Sequence, residues 1–319
     1  ALADRHSQRV RIPCYAGAAG TVAYLGVFAG TTPAWIFGSI ALWSFFWSAA
    51  LPLMETTTLG HLQGRAGEYG RIRLWGSVGF IAAVVGIGWL LDRAEIAWLL
   101  WIIAATLLGI LACTSGVPDA PHDASRARGA GIGHILRRKD VVALITACML
   151  MAVAHGPYYT FFSIHLVSQG YSKTAVGWLW ALGVIAEIAV FAALPWLYRR
   201  FDAHSLLLAS FAAAMLRFLL IAWAAHVTAL LLVAQVLHAA SFGVFHSAAL
   251  ATVHRLFEGG AQARGQAVYT SLSFGLGGTL GGLGAGLAWQ PLGAAATFSL
   301  AAGCALIGLL LLVAAPTRK

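Results

Sequence analysis

Four ionisable side chains sit inside or at the ends of long apolar runs, where a charge is costly and is kept mostly when it pairs or faces water. Glu55 lies near the end of the run from Pro33 to Leu59, and Arg73 opens the next, which continues to Leu91. A carboxylate and a guanidinium at facing ends of consecutive apolar runs suit an ion pair on a water-filled cavity. They also suit two side chains snorkelling to the headgroup level, and the residues alone leave both readings open. Glu187 lies near the middle of a later run, and Arg217 lies within the run after it. A buried guanidinium calls for a carboxylate, and Glu187 is the nearest candidate.

Imidazoles and aromatics surround these charges. His155, Tyr158, Tyr159 and Phe162 follow an i, i+3, i+4, i+7 pattern, which places them on one helical face. Trp180 and Gly183 precede Glu187 by seven and four residues and share its face. His238 and His246 are about two turns apart. Imidazole titrates near neutrality and suits a proton relay, although a lone histidine in a helix also serves as a satisfied structural donor. The aromatic faces at Trp75 and Phe80, at Tyr158, Tyr159 and Phe162, and at Trp178 and Trp180 suit stacking on a ring. They are equally suited to packing or to the membrane interface.

The elements that must carry these residues follow from composition. The chain has 319 residues, of which 60% are hydrophobic and 10% charged, against about 25% charged in soluble domains. Runs of about 20 apolar residues, enough to cross roughly 30 Å of hydrocarbon as a helix, recur throughout. Ten spans are expected, near 12–31, 33–59, 71–91, 95–116, 140–167, 173–198, 204–224, 227–254, 265–288 and 290–315. The fold class is an all-α polytopic membrane protein. Residues 1–116 form an N-terminal helical bundle, 117–139 a cytoplasmic linker and 140–319 a C-terminal six-helix bundle. Within 265–288, the pairs Gly277/Gly281, Gly278/Gly282 and Gly282/Gly286 have the spacing that lets helix backbones approach closely. They fit either static packing or a surface that slides between halves. A short echo, Trp75-x-Ser77-x-x-Phe80 and Tyr269-x-Ser271-x-x-Phe274, suggests two related halves.

The net charge of +9 has a distribution that fits a membrane and not nucleic acid. With the N-terminus inside, Arg93 and Lys173 fall outside and Arg217 within a span. All the other basic residues lie on the cytoplasmic side, as the positive-inside rule requires. Cys14, Cys113, Cys148 and Cys304 have no CxxC spacing, so neither a disulfide framework nor a zinc site is expected. No Walker-type loop or nucleophile elbow is present, so no cofactor, no metal and no enzymatic activity are expected.

Longer stretches carry a resemblance. Asp4-Arg5-His6-Ser7-Gln8-Arg9 is similar to the cytoplasmic DR-x-G-R loop of major facilitator superfamily transporters, with Gln8 near the usual Gly. The segment from Glu68 to Phe80 resembles the start of the fifth span in the branch that includes the phenylpropionate and lactose permeases. His155-Gly156-Pro157-Tyr158-Tyr159-Thr160-Phe161-Phe162 and Leu179-Trp180-Ala181-Leu182-Gly183-Val184 resemble the phenylpropionate side of that branch. The resemblance implies that these ten spans correspond to spans three through twelve of a twelve-span protein, with the first two missing. It implies two bundles rocking around a central site, and usually proton symport. It places Glu55 and Arg73 at a substrate-binding pair, Arg217 and His238 in the coupling network, and Glu187 about one turn from a substrate-contacting Glu. It assigns Asp4, Arg5 and Arg9 to a conformational loop. Ser241 departs from the pattern, because the sugar-permease relatives keep a carboxylate three residues beyond the histidine.

The expected function is proton-coupled symport of a small organic solute, an aromatic acid such as a phenylpropionate, by alternating access. Substrate contacts are expected from Glu55, Arg73, Phe80, His155, Tyr158, Tyr159 and Trp180, and proton coupling from Glu187, Arg217 and His238. The partners are the solute, protons and membrane lipid, and the expected unit is a monomer in a bacterial inner membrane with both termini of the chain cytoplasmic. Competing readings are proton-antiport efflux of a sugar, nucleoside or drug-like solute, a non-transporting receptor or scaffold, and an inactive fragment. Cysteine-scanning accessibility should find residue 128 cytoplasmic and residue 173 external. External labelling of residue 128 would refute the topology.

Overall fold

The computed structural model describes residues 11–48, 54, 57–58, 61–62, 66–118 and 132–315. The chain runs through α1 (Arg11–Leu25), α2 (Pro33–Trp47), α3 (Ala66–Leu91), α4 (Trp98–Ser115), α5 (Lys139–Ser168), α6 (Lys173–Arg200), α7 (Ala203–Ala224), α8 (Thr228–Leu256) and α9 (Arg264–Ala314). Polar residues between the apolar runs set the boundaries. Thr32 caps α2 by accepting from the Trp35 N–H, with Pro33 in the first turn. Asp202 caps α7 by accepting from the Ser205 N–H. Between α5 and α6, Gly170 takes φ 91° and the Tyr171 N–H bonds back to the Leu166 carbonyl. That is a glycine-dependent helix stop, and Ser172 then caps α6 by accepting from the Ala175 N–H.

Among the described residues, eight helices are long and apolar enough to cross a membrane, fewer than the ten expected spans, for two reasons. The described part of the second expected span, Pro33–Trp47, has only 15 residues. The last two expected spans form one run, Arg264–Ala314, of 51 residues. At about 1.5 Å per residue that run far exceeds a bilayer core. It is broken at Gly293, where φ 76° and ψ 175° cannot continue a helix, two residues after Pro291. Large apolar side chains line the outside, with Leu287 80% and Trp75 75% exposed, as suits helices solvated by lipid tails.

The chain divides into two compact units. One comprises Ala1–Gly79 and Arg93–Arg126, the other Phe80–Asp92 and Ala127–Lys319. The second unit thus takes in the end of α3, outside the sequence boundary expected for that bundle. In the first unit, α1 packs on α2 and α4 around Tyr24, Ala104 and Leu107, and the Tyr24 hydroxyl donates to the Leu100 carbonyl at 3.0 Å. In the second unit, α5 packs on α9, α9 on α7, α7 on α8 and α8 on α6. Its core holds Phe162, Phe211, Phe218 and Phe298, all fully buried.

Glycine sets the closest of these approaches. Pro157 has no N–H for the Val153 carbonyl one turn earlier. That carbonyl lies 2.6 Å from where a Cβ on Gly281 would be, and a Cβ on Gly156 would fall 2.2 Å from the Gly281 carbonyl carbon. Gly277 likewise abuts the Met149 carbonyl. The Gly277/Gly281 pair therefore packs α9 against α5 inside one unit, while Gly278, Gly284 and Gly286 have nothing within 4 Å. Gly156→Ala should lower the detergent melting temperature, since overpacking backbone against backbone costs about 1–3 kcal/mol. Gly286→Ala should leave it unchanged. Equal melting temperatures for the two variants would overturn this packing account.

Candidate functional site

The polar residues of the second unit converge from α5, α6, α7 and α8. Two stretches of wider π-type turns help aim them, Ala239–Val244 in α8 and Ser271–Gly277 in α9. Such turns recur at functional sites because they re-register the side chains that follow.

Arg217 is the centre and is fully buried. Its guanidinium carbon lies 3.9 Å from the centroid of the Tyr158 ring and 5.3 Å from that of Phe218. Nη1 is 3.5 Å from His155 Nε2 and 3.5 Å from Ser241 Oγ. Nε and Nη2 have no hydrogen-bond partner among the described residues. His155 Nδ1 lies 2.9 Å from the Met151 carbonyl. A carbonyl only accepts, so Nδ1 carries the proton in this arrangement and Nε2 turns its lone pair to Arg217. The hydrogen-bonding contacts of Arg217 therefore go to an imidazole and a hydroxyl, and its charge rests on an aromatic face, where sequence reasoning looked to Glu187.

Glu187 lies on His238 instead, with Oε2 3.8 Å from His238 Nε2. Gly243 makes room for it, because a Cβ there would meet Glu187 Cγ at 3.2 Å. Gly183, one turn before Glu187, faces the His238 ring in the same way. The shared face expected for Trp180, Gly183 and Glu187 is thus formed. Trp180 turns to α5, with its ring 4.5 Å from that of Tyr158 and its Nε1 donating to Ser163 Oγ at 3.0 Å.

Gln235, fully buried, was not anticipated. Its Oε1 accepts from the Tyr158 hydroxyl at 3.4 Å and its Nε2 donates to the Leu179 carbonyl at 3.2 Å. The signal was available: a mid-run amide is costly in hydrocarbon unless it is hydrogen-bonded. Phe242 was also missed, although it lies one turn beyond His238 and stacks on it at 5.3 Å and 10°. His246 continues that stack at 6.4 Å and 14°. A cavity of about 360 Å³ adjoins the cluster, lined by His155, Tyr159, Thr160, Phe242, Phe274 and Gly282 among others. Its size is within the range of small-ligand sites.

Glu55, Asp4, Arg5 and Arg9 are outside the described residues. Arg73 is exposed on α3 in the first unit, and Phe80, 41% exposed, is on the part of α3 that belongs to the second. Among the described residues, no group of three His, Cys, Asp or Glu side chains is placed to hold a metal ion.

A bundle of apolar helices around a buried cation, a carboxylate–imidazole pair and an aromatic cavity defines an integral membrane protein of the major facilitator fold. The chain belongs to the MFS_1-like family, which matches residues 1–300. It is 33% identical over 254 residues to a probable 3-phenylpropionic acid transporter of Escherichia coli, covering 78% of this chain and 66% of that one. It is 28% identical over 286 residues to a maltose permease of Geobacillus stearothermophilus, covering 85% and 69%. The chain thus spans about two thirds of the length of these relatives. In fold it is similar to the nucleoside transporter NupG in its D323A form, with a TM-score of 0.85 and 19% identity over 99% of this chain and 85% of that one.

The cation–π contact gives a direct test of the centre. Such a contact is worth about 2 kcal/mol or more when desolvated. Tyr158→Leu should therefore destabilise the detergent-solubilised protein far more than Tyr158→Phe, which keeps the ring and loses only the long bond to Gln235. Equal losses on thermal melting would assign the role to the hydroxyl.

Proposed function

We propose that the protein is a secondary transporter that couples protons to the uptake of a small aromatic carboxylic acid by alternating access. The observation that carries this reading is Arg217, a fully buried guanidinium whose Nε and Nη2 have no hydrogen-bond partner among the described residues and whose neighbour His155 lines an aromatic cavity. Open guanidinium donors suit bidentate contact with a carboxylate, and the ring edges and faces of Tyr159, Phe242 and Phe274 suit an aryl group. The relative described as a probable 3-phenylpropionic acid transporter supports the same substrate class.

In this reading Glu187 and His238 carry the proton, since a carboxylate beside an imidazole can exchange one as the cavity changes sides. Glu55 and Arg73 form a second polar pair contacting substrate together with Phe80. Asp4, Arg5 and Arg9 act in the cytoplasmic conformational loop. The working unit is a monomer in the inner membrane with the ends of this chain cytoplasmic.

The test is uptake of labelled 3-phenylpropionate by proteoliposomes under an imposed inward proton gradient. Arg217→Gln should abolish substrate binding, since losing one side of a buried charge-assisted pair costs about 2–5 kcal/mol. Glu187→Gln should keep substrate exchange but lose gradient-driven accumulation. Unchanged binding in Arg217→Gln would sink the carboxylate site. Full accumulation in Glu187→Gln would remove Glu187 from coupling, and efflux under the same gradient would favour antiport.

A further inference from the structure

Three imidazoles surround one phenyl ring in the second unit. His238, Phe242 and His246 follow one another at four-residue spacing on α8. The Phe242 ring lies 5.3 Å from that of His238 at an interplanar angle of 10°, and 6.4 Å from that of His246 at 14°. His155, from α5, reaches the same ring at 6.2 Å and 58°. In a regular helix, residues eight apart are rotated by about 80° from one another. The wider turns at Ala239–Val244 fall within this stretch and change that rotation. Phe242 thus stands in one column with a titratable ring a turn to either side.

Both flanking imidazoles have bonding capacity to spare. Nδ1 of His238 and Nδ1 of His246 are buried and have no hydrogen-bond partner among the described residues. A polar atom left in that way is costly and calls for a reason, such as a part in chemistry. The charged and titratable groups facing the column gather at its His238 end. Glu187 reaches it from α6, Tyr158 and His155 from α5, and Arg217 from α7 through His155. At the other end His246 meets Phe274 of α9, with the rings 5.9 Å apart. A proton moves between groups within hydrogen-bond reach, directly or through one water. A phenyl ring offers neither donor nor acceptor, so no such chain runs through Phe242.

Taking Glu187 and His238 as the proton carriers, a reading on which this inference rests, we propose that Phe242 is an apolar barrier in the proton path. It insulates the Glu187–His238 pair from His246, the next proton acceptor along α8. Under the orientation given by the basic residues, α8 runs inward from Thr228 to Leu256, so His246 is on the cytoplasmic side of His238. A coupled carrier must not pass protons without solute, and a ring that keeps water from between two imidazoles meets that need. Removing the ring opens space for water, which is held where polar atoms can bond it, and the two imidazoles supply such atoms.

The test is proton entry without solute. Proteoliposomes holding the full-length protein and a trapped pH-sensitive dye are given an inward proton gradient, with potassium and valinomycin to balance charge. Phe242→Ala should raise the entry rate several-fold over the unmutated protein. Phe242→Val, a smaller loss of volume should Phe242→Ala fail to fold, should raise it less. Phe245→Ala removes a buried ring of the same helix that packs on Phe211, and should leave the rate unchanged. No rise in either Phe242 variant would overturn the barrier. So would an equal rise in Phe245→Ala, the mark of a generally loosened helix. Adding His246→Gln to Phe242→Ala should restore the unmutated rate, and a leak that persists would remove His246 from the path. Adding Glu187→Gln instead separates the barrier from the coupling reading. Loss of the leak supports both, whereas a leak that survives and still needs His246 upholds the barrier and removes Glu187 as the proton source.

Discussion

The second unit is arranged around the need to keep one guanidinium out of water. Removing a charge from water costs several kcal/mol even after relaxation, and the usual remedy is a carboxylate in contact. Arg217 has a π face, a neutral imidazole nitrogen and a hydroxyl instead. Each partner is in turn fixed by another. Gln235 holds the Tyr158 hydroxyl, the Met151 carbonyl fixes the His155 tautomer, and the His238 carbonyl accepts from Ser241 Oγ. Four helices are tied to one cation through these contacts, so a change at Arg217 is felt in α5, α6 and α8 together.

Backbone geometry makes that convergence possible. A regular helix through Ala239–Val244 would rotate everything beyond His238 by a fixed angle, and the wider turns there change that register. Glycines at 183 and 243 then let α6 and α8 approach closely enough for Glu187 to reach His238. On the opposite side of α5, Gly156 and Gly281 bring α9 near enough for Phe274 and Gly282 to share a cavity with His155 and Phe242.

Much of this was legible in the sequence, for identifiable reasons. Apolar runs and basic turns located the helices, because hydrocarbon tolerates little else. Glu187, Arg217 and His238 drew attention because ionisable groups at that depth are rare. The Trp180–Gly183–Glu187 face followed from helical spacing alone. The pairing did not follow. Which carboxylate meets which cation depends on how each helix is rotated about its axis, and helical spacing along one run does not give the rotation of the next. Gln235 escaped because the reading weighed charge and passed over an amide, although an unsatisfied amide is also costly there. The break at Gly293 was signalled by Pro291 and Gly293, and it falls within a few residues of the boundary expected between the spans 265–288 and 290–315.

Ser241 gives the departure from the sugar-permease pattern a physical sense. A carboxylate at this place would lie against Arg217 Nη1, neutralise it and occupy its donors. A hydroxyl at 3.5 Å satisfies one N–H and cancels no charge. The aromatic faces of Tyr158 and Phe218 attract the cation without taking up its hydrogen-bonding edge, and Nε and Nη2 are left without a hydrogen-bond partner among the described residues. A site that carries a neutral sugar gains from an internal counter-ion, because its substrate brings none. A site whose substrate brings its own carboxylate does better without one, since an internal carboxylate would compete with it. For the proposed carrier, a serine at 241 in place of a carboxylate therefore suits an anionic solute better than a sugar, on grounds independent of the aromatic lining of the cavity.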